Sequence, residues 1–370
     1  MPGARGAEEL YSLLHERALP SWSAIVDGRY GGYLLSPTEK QLATQSRMVW
    51  AFSHAHRLGL GDYLWAAERG VELLLGRFAD GEHGGFFWKT NRAGRPLDRR
   101  KLLYGHAFVI YALVEYGRAG GDPGALDRAL ALFRLLRERA HDGEHGGWLE
   151  HFEPDWRPIL RPDVRVEVET AGAKSANSHL HVLEALTELY AESGDGEVGV
   201  ALGEAIEVCT TQFLPADPAA SVRQRSRDWR PAGPRGPSVG HSVELAWLLT
   251  HAEGALGLEP SWERLDAYLA YALAAPAADR IWWETAETLA ALATAVAHRP
   301  DPGQLAELER RLSFALAHQV DPVDGLWLHA VAPDGSVVNP EKIATWKDAY
   351  HELRATVLLA EVGGGRGPVT

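Results

Sequence analysis

The sequence DGEHGGFF at residues 80–87 returns almost unchanged as DGEHGGWL at 142–149, and looser copies stand at 27–33 (DGRYGGY) and 321–328 (DPVDGLWL). Asp-Gly supplies the positive-φ backbone of a tight turn, and the alternating aromatic residues after it suit a short hairpin. The copies stand ahead of alternate helical segments. The chain therefore carries an internal repeat in which a hairpin is followed by helices.

Apolar residues that recur at three and four positions predict twelve helical segments. Their approximate bounds are 7–26, 37–59, 61–79, 99–118, 122–140, 175–193, 196–214, 240–257, 260–275, 282–298, 302–319 and 345–362. Ser36-Pro37-Thr38-Glu39 is typical of a capping box with proline at the first helical position, and it predicts the start of the second segment.

Alternate segments differ in composition. Those that follow the repeats are apolar on most sides, for example AFVIYALVEY and ETLAALATAVAH, and must be buried on most sides, whereas the others are amphipathic. Six helices of each kind predict an all-α (α/α)6 barrel, an inner ring wrapped by an outer ring, with short β-hairpins in the loops. An open helical solenoid is the alternative, but it would not need two classes of helix.

Composition limits the function classes. The 370 residues contain no linker near the middle, so we expect a single domain, 1–370. A net charge of −13 without a basic block argues against nucleic acid as a partner. We expect no membrane segment, because no stretch approaches the ~20 uncharged residues of a span, and the N-terminus lacks the apolar core of a signal peptide. Cys209 is the single cysteine and cannot form an internal disulfide, which favours a cytoplasmic protein.

Polar and ionisable residues stand at the starts of the apolar helices, where apolar residues would cost less free energy. Helical spacing places Asn177, His181 and Glu184 on one face. Other sets that share a face are His241 with Glu244, Lys347 with His351 and Arg354, Arg47 with Trp50, Tyr104 with Phe108, and Trp283 with Glu287.

Each set alone has a simple structural explanation, since a buried histidine or glutamate is often only a satisfied hydrogen-bonding group. Recurrence at six helix starts instead favours a functional cavity. A cavity lined by Trp, Tyr, His, Arg and Glu suits a sugar, because aromatic faces pack on C–H surfaces while polar groups bind hydroxyls. A small-molecule sugar is the expected partner, and the chain is expected to be a monomer or homodimer.

Six segments, taken in order, resemble the N-acylglucosamine 2-epimerase superfamily, which includes cellobiose 2-epimerases and mannose isomerases. They are QSRMVWAFS, GRPLDRRKLLYGHAFVIYALVEY, KSANSHLHVLEALTELY, GHSVELAWLL, IWWETAETL and DGSVVNPEKIATWKDAYHELRA. The resemblance implies the (α/α)6 barrel. It also implies that His241 and His351 are the two acid/base residues, that Arg47 binds the oxygens at C1 and C2, and that His181 contacts the same end of the sugar.

The same resemblance implies roles for residues that bind substrate or orient the histidines. Glu184 and Glu244 would orient and polarise the histidines, Glu287 is a further contact, Trp346 would stack on the sugar, and Tyr104 would lie near it. Asn177 and Trp283 complete the expected binding set.

In the implied reaction a proton leaves C2 of the sugar, an enediolate forms, and a proton returns. Histidine suits this exchange because its ordinary pKa lies near neutral pH. Return of the proton to C2 gives 2-epimerisation, and return to C1 gives the ketose, so both reactions stay open. We expect neither a cofactor nor a metal.

The resemblance leaves the subfamily open. NSHLHVLEA and the Trp-Lys of ATWKDAYH resemble cellobiose 2-epimerases, whereas His106, where many of those enzymes have glutamine, resembles the monosaccharide isomerases. A mannose- or glucose-type aldose and the reducing end of a β-1,4-disaccharide such as cellobiose are therefore both expected substrates.

Two other classes remain as alternatives. An (α/α)6 glycoside hydrolase would need two opposed carboxylates about 5–10 Å apart, for which Glu184, Glu244 and Glu287 are candidates. A non-catalytic binding module would bind sugar or protein without turnover.

Overall fold

The computed structural model describes residues 2–235, 238–275 and 278–362, and residues 1, 236–237, 276–277 and 363–370 lie outside it. The helices are α1 (Pro2–Leu13), α2 (Leu19–Ser23), α3 (Leu42–Arg57), α4 (Leu64–Leu73), α5 (Leu103–Arg118), α6 (Ala125–Arg139), α7 (Ala176–Ser193), α8 (Gly196–Val208), α9 (Val239–Ala255), α10 (Trp262–Ala274), α11 (Trp282–His298), α12 (Pro302–Phe314) and α13 (Tyr350–Val362). A π-helical turn, Leu14–Ala18, joins α1 to α2, so the described residues form twelve helical segments, as predicted. Similar turns extend three other helices: Leu74–Phe78 after α4, Cys209–Phe213 after α8 and Ala315–Gln319 after α12.

Short strands connect the helices. They are β1 (Glu39–Gln41), β2 (Lys89–Asn91), β3 (Pro96–Asp98), β4 (Lys101–Leu102), β5 (His151–Phe152), β6 (Ala173–Ser175), β7 (Val222–Ser226), β8 (Pro231–Arg235), β9 (Arg280–Ile281), β10 (Ala330–Val331) and β11 (Val337–Asn339). They form four antiparallel sheets in the orders β1-β2-β3, β4-β5, β6-β7-β8 and β11-β10-β9.

The chain divides into two compact units. Unit 1 is Met1–Ile25, Ser238–Trp247 and Ser261–Thr370, and unit 2 is Val26–Pro237 and Leu248–Pro260. In unit 2, α3 packs on α5 and α5 on α7, while α4, α6 and α8 each pack on the helix before them. In unit 1, α11 packs on α13, α10 and α12 pack on α11, and α1 packs on α12 and α13. The single-domain organisation stays a prediction.

Alternate helices differ in burial, as their composition predicts. From Leu42 to Ser53 every residue of α3 is buried, whereas α12 buries only Leu308 and Leu312. Helices that are buried on most sides can hold polar side chains only where those side chains find partners. Among the described residues, no helix combines the length and apolar character that crossing a membrane requires.

Four predicted helix starts are off by four or five residues. The chain around Ser36-Pro37 does not begin a helix, because Glu39–Gln41 pairs with Lys89–Asn91 as a strand and α3 begins at Leu42. Likewise α5 begins at Leu103 rather than at 99, because Lys101–Leu102 pairs with His151–Phe152. Local capping patterns do not report such pairing with a distant strand.

The first and last segments also differ from the prediction. The first begins at Pro2 rather than at 7, and the last begins at Tyr350 rather than at 345.

Each repeat closes a small hairpin. Antiparallel bridges join Val26 to Tyr33, Ala79 to Phe86, His141 to Trp148 and Val320 to Trp327. The expected role of the Asp-Gly glycine is wrong in the first three copies, because positive φ values fall instead on the Gly-Gly pair, for example 73° at Gly84 and 69° at Gly85. A Cβ on Gly85 would lie 2.8 Å from Nε2 of His106, so the loop approaches the helix too closely for any other residue.

The aspartate of each repeat is held by a lysine. Nζ of Lys101 lies 2.7 Å from Oδ2 of Asp80, with side chains 0% and 2% exposed. Equivalent buried pairs join Lys40 to Asp27 and Lys174 to Asp142. The fourth pair is more open, because Lys342 and Asp321 are 23% and 27% exposed.

One side chain near the start of the following helix accepts a hydrogen bond from the backbone of the loop. Nε2 of His106 accepts from the N–H of Phe86, 2.9 Å away, while its Nδ1 donates to the carbonyl of Leu102. His179 makes the same pair of bonds with Trp148 and Ser175. Gln45 accepts from Tyr33 at the matching position of α3. His106 therefore holds a loop, and its identity is explained without a sugar.

We expect Lys101→Met to lower the free energy of unfolding by about 3–5 kcal/mol, because Asp80 would keep a buried charge without its partner. Lys342→Met is the matched control and should cost about 0–1 kcal/mol, since its pair is partly exposed. Urea unfolding of both variants measures the difference. Equal losses of stability would show that burial does not determine how much these ion pairs contribute to the free energy of unfolding.

Burial lowers the pKa of His106 to about 3 from 6.5. Between these pH values the unfolded chain binds a proton that the folded chain does not, so this group's contribution to stability is lost as pH falls from about 6.5 towards 3. His106→Gln removes that titration, and Gln45 shows that glutamine can hold the loop. We expect its acid-unfolding midpoint, followed by circular dichroism, to move to lower pH. The control is His298→Gln, because His298 is exposed. An unchanged midpoint in His106→Gln would contradict the conclusion that protonation of His106 contributes to acid unfolding.

Candidate active site

The predicted site residues fall into two sets, each within one unit. Those of unit 1 are His241, Glu244, Trp283, Glu287, Trp346 and His351, and those of unit 2 are Arg47, Tyr104, Asn177, His181 and Glu184.

The set in unit 1 is organised around a buried carboxylate. Oε1 of Glu287, on α11, lies 2.7 Å from Nδ1 of His351 and 2.7 Å from Nη2 of Arg354, both on α13. The other oxygen, Oε2, accepts from Nε1 of Trp247 at 3.0 Å. Since a carboxylate only accepts hydrogen bonds, Nδ1 of His351 must carry its proton, and Nε2 is the nitrogen that accepts a proton in the neutral ring.

A second carboxylate joins this network. Nη2 of Arg354 also lies 2.6 Å from Oε1 of Glu244, on α9, so one guanidinium nitrogen bonds both glutamates. Burial opposes the ionisation of Glu287, but Arg354 and His351 outweigh it and lower the pKa of the carboxyl. Glu287 is therefore ionised and oriented, as a partner for an acid/base histidine requires.

Both predicted acid/base residues contact the ring of Trp283. The ring centroid of Trp283 lies 4.7 Å from that of His241 and 5.9 Å from that of His351. Gly240 allows this arrangement, because a Cβ there would lie 2.4 Å from Cζ3 of Trp283. Contact with Trp283 is therefore the steric reason why glycine stands before His241 in GHSVELAWLL.

Lys347 departs from its predicted position. It precedes α13 and bonds Glu352 at 2.6 Å, instead of sharing a face with His351 and Arg354. Its Nζ also lies 4.8 Å from the ring centroid of Trp282. Trp346, beside it, is 36% exposed in the turn that joins Ala344 to Lys347.

The set in unit 2 is a buried stack of one cation and three rings. Nη2 of Arg47 bonds the Tyr104 hydroxyl at 2.6 Å, and its guanidinium lies 4.3 Å from the Phe108 ring centroid. The ring of His181 contacts Tyr104 and Phe108, with centroids 5.1 and 4.4 Å apart. Nδ1 of His181 lies 3.0 Å from Oε2 of Glu184, so the predicted shared face on α7 is confirmed for these two residues.

Asn177 lies under a loop that precedes α7. Its Nδ2 donates to Oε1 of Glu169 at 3.0 Å, and Oε2 of Glu169 accepts from Gln224. Burial and the nearby Glu150 raise the pKa of Glu169. Its backbone has a φ of 58°, which is unusual for a residue other than glycine.

Sequence patterns missed three residues of these networks. Arg354 was placed on the face of His351, but its bonds to Glu244 and Glu287 come from other helices. Trp247 offered the weak signal of standing three residues after Glu244. Glu169 lies in an irregular loop, where spacing carries no signal.

Glu244, Glu287 and His351 also offer three ligand atoms within 4.8 Å of one another, a spacing compatible with a metal ion. Arg354 already supplies positive charge between the two carboxylates. The donor set therefore fits an internal ion network better than a metal centre.

Residues 29–355 match the sequence model of the family described as N-acylglucosamine 2-epimerase (GlcNAc 2-epimerase). A cellobiose 2-epimerase of Bacteroides fragilis is 31% identical over 386 residues, covering 95% of this chain and 98% of that protein. A D-mannose isomerase of Thermobifida fusca is 26% identical and covers 96% of this chain and 98% of that protein. The solved cellobiose 2-epimerase of Spirochaeta thermophila has a TM-score of 0.89 and 32% identity, and the match covers 98% of both chains.

These likenesses confirm the predicted fold class. The chain is 56% helix and 12% strand, with the strands in short antiparallel sheets, and it has the (α/α)6 barrel fold of its neighbours. The sequence resemblance to this family is likewise confirmed.

Gly240→Ala should destabilise the protein by about 1–3 kcal/mol, because the added methyl group overlaps Trp283 and Cγ of Glu284. Gly254→Ala, on the same helix, meets nothing within 4 Å and should be neutral or slightly stabilising. Thermal unfolding of the two variants compares these effects. Equal stability of both would show that contact with Trp283 is not tight.

Proposed function

The chain belongs to the N-acylglucosamine 2-epimerase family and is a carbohydrate epimerase or isomerase. From this premise we propose that it is a sugar 2-epimerase in which His351 or His241 removes the C2 proton of a reducing aldose and the other histidine donates a proton to the opposite face, without a cofactor. The observation that carries the proposal is the contact of Nδ1 of His351 with Oε1 of Glu287. It orients the ring and leaves Nε2 as its basic nitrogen.

Proton removal at C2 becomes feasible once the sugar ring opens and the C1 carbonyl can delocalise the charge. His351 Nε2 would take the proton, which leaves an enediolate on the sugar and a protonated imidazole beside the Glu287 carboxylate. A protonated imidazole is stabilised by an adjacent carboxylate, so Glu287 lowers the cost of this step.

Inversion requires a second acid on the opposite face of C2. His241 supports this role because it contacts Trp283, the ring that also contacts His351. Donation from His241 to C2 gives the epimer. Donation to C1 instead gives a ketose, so aldose–ketose isomerisation on the same residues is the second candidate, and the similarity to a D-mannose isomerase favours keeping it.

Two substrates follow from the relatives. The cellobiose 2-epimerase likeness supports the reducing end of a β-1,4-linked disaccharide, and the D-mannose isomerase likeness supports a mannose-type monosaccharide. His106 does not discriminate between them, because its ring holds the Phe86 loop. The roles of Arg47 at the C1 and C2 oxygens, of His181 at the same end, and of Tyr104, Asn177, Glu184 and Trp346 near the sugar stay predictions.

A glycoside hydrolase fits the geometry less well. It needs one carboxylic acid whose pKa is raised so that it can protonate the leaving group. Glu244 and Glu287 instead bond the same guanidinium nitrogen, and the pKa of Glu287 is lowered. These two residues are therefore held as anions.

The test is incubation with mannose, and separately with cellobiose, in deuterated buffer without added cofactor, followed by proton NMR. We expect a C2 epimer that carries deuterium at C2. A ketose would make the chain an isomerase, and glucose released from cellobiose would overturn the proposal in favour of hydrolysis.

His351→Asn and His241→Asn should each lower the exchange rate about 10²–10⁴-fold, because each removes one acid/base group. His298→Asn is the matched control, since this histidine is exposed at the end of α11 and its Nδ1 bonds the Thr294 carbonyl. Full activity in His351→Asn would exclude its proposed role.

A further inference from the structure

We propose that Arg354 is the positioning residue shared by both acid/base histidines: its guanidinium fixes Glu244 and Glu287 together and sets the pH at which His351 becomes basic. This inference rests on the proposed function, because it assigns the control of protonation in the same site.

The geometry places Arg354 at the centre of the network. One nitrogen, Nη2, lies 2.6 Å from Oε1 of Glu244 and 2.7 Å from Oε1 of Glu287. Nη1 bonds the hydroxyl of Tyr350, and the guanidinium lies 4.8 Å from the ring centroid of Trp247. Arg354 is buried, so water screens these contacts little.

The two glutamates relate differently to the histidines. Glu287 bonds His351 directly, whereas Glu244 shares helix α9 with His241, which stands three residues before it. A guanidinium carries several donors in a fixed plane, so it can bind two carboxylates in a defined geometry that a lysine cannot reproduce. Arg354 therefore joins the two halves of the acid/base apparatus.

The charges in the network predict the direction in which the apparent pKa changes when Arg354 is removed. With Arg354 present, one cation offsets two neighbouring carboxylates. Without it, the carboxylates would repel each other and the group formed by Glu244, Glu287 and His351 would bind its protons more tightly. Because these groups titrate together, the apparent pKa of the whole group must rise.

The other titratable groups near this network do not reverse that direction. His241 on α9, Tyr350 on α13 and the buried Asp348 just before α13 are the other groups, and they are common to the wild type and an Arg354 variant. Lys347 and Glu352 form a separate buried pair, so their charges compensate each other.

The experiment measures kcat/KM for C2 exchange against pH in Arg354→Gln, Arg354→Lys and the wild type. We expect the acidic limb of the Arg354→Gln profile to move to higher pH by about 1 unit or more. Arg354→Lys retains the charge and should move by less than half as much. Arg310→Gln is the control, because Arg310 forms an exposed pair with Glu307 on α12 and should leave the limb unchanged.

A purely structural arginine would lower activity or stability without moving the limb, and that result would overturn the inference. If Arg354→Gln does not fold, Glu244→Gln decides between the outcomes: because it leaves the charge of Arg354 less compensated, a limb that moves to lower pH supports the inference and an unchanged limb overturns it. NMR titration of the His351 ring, assigned by comparison with His351→Asn, provides a readout that needs no turnover and should show the same rise in pKa.

Failure of the proposed function looks different. In that case the wild type would show no C2 exchange with either sugar, or His351→Asn would retain it. Wild-type exchange that is lost in His351→Asn, together with an unmoved limb in Arg354→Gln, would reject only the role of Arg354.

Discussion

A buried carboxylate must be paired with a cation, and this constraint shapes both the loops and the candidate site. Transfer of an isolated charge from water into the interior is too costly to tolerate. In the repeats, Lys101 meets Asp80 and Lys174 meets Asp142. In the site, Arg354 meets Glu244 and Glu287. The repeats use the pairing to hold a hairpin against a helix, whereas in the candidate site it orients His351, the proposed acid/base residue.

The difference lies in what the carboxylate does with its remaining bonding capacity. Asp80 uses Oδ1 to accept the backbone N–H groups of Glu82 and His83, so its second oxygen organises a turn. Glu287 uses its oxygens on His351, Arg354 and Trp247. Because one of these partners is a histidine, the same kind of buried anion suits the proposed proton transfer.

Histidines at helix starts consequently have two distinct roles in this chain. His106 and His179 each accept a loop N–H and donate to a carbonyl of the preceding turn, which commits both ring nitrogens. His351 commits Nδ1 to a carboxylate. The partner of Nδ1, a buried carboxylate in His351 and a backbone carbonyl in His106 and His179, therefore distinguishes the acid/base candidate from the structural histidines.

Sequence by itself determined the fold class, the helix count and the residue types of the site, because periodicity and repeats are local patterns that survive in one dimension. It also paired His181 with Glu184, since three residues along a helix are neighbours. Only the tertiary structure decided that α3 begins after a strand, that Lys347 turns to Glu352, that His106 serves a loop and that Arg354 joins two glutamates. Each of these features depends on a partner that folding brings close. The glutamates on α9 and α11 stand 110 and 67 residues before Arg354 along the chain. At such separations, sequence spacing carries no information about contact.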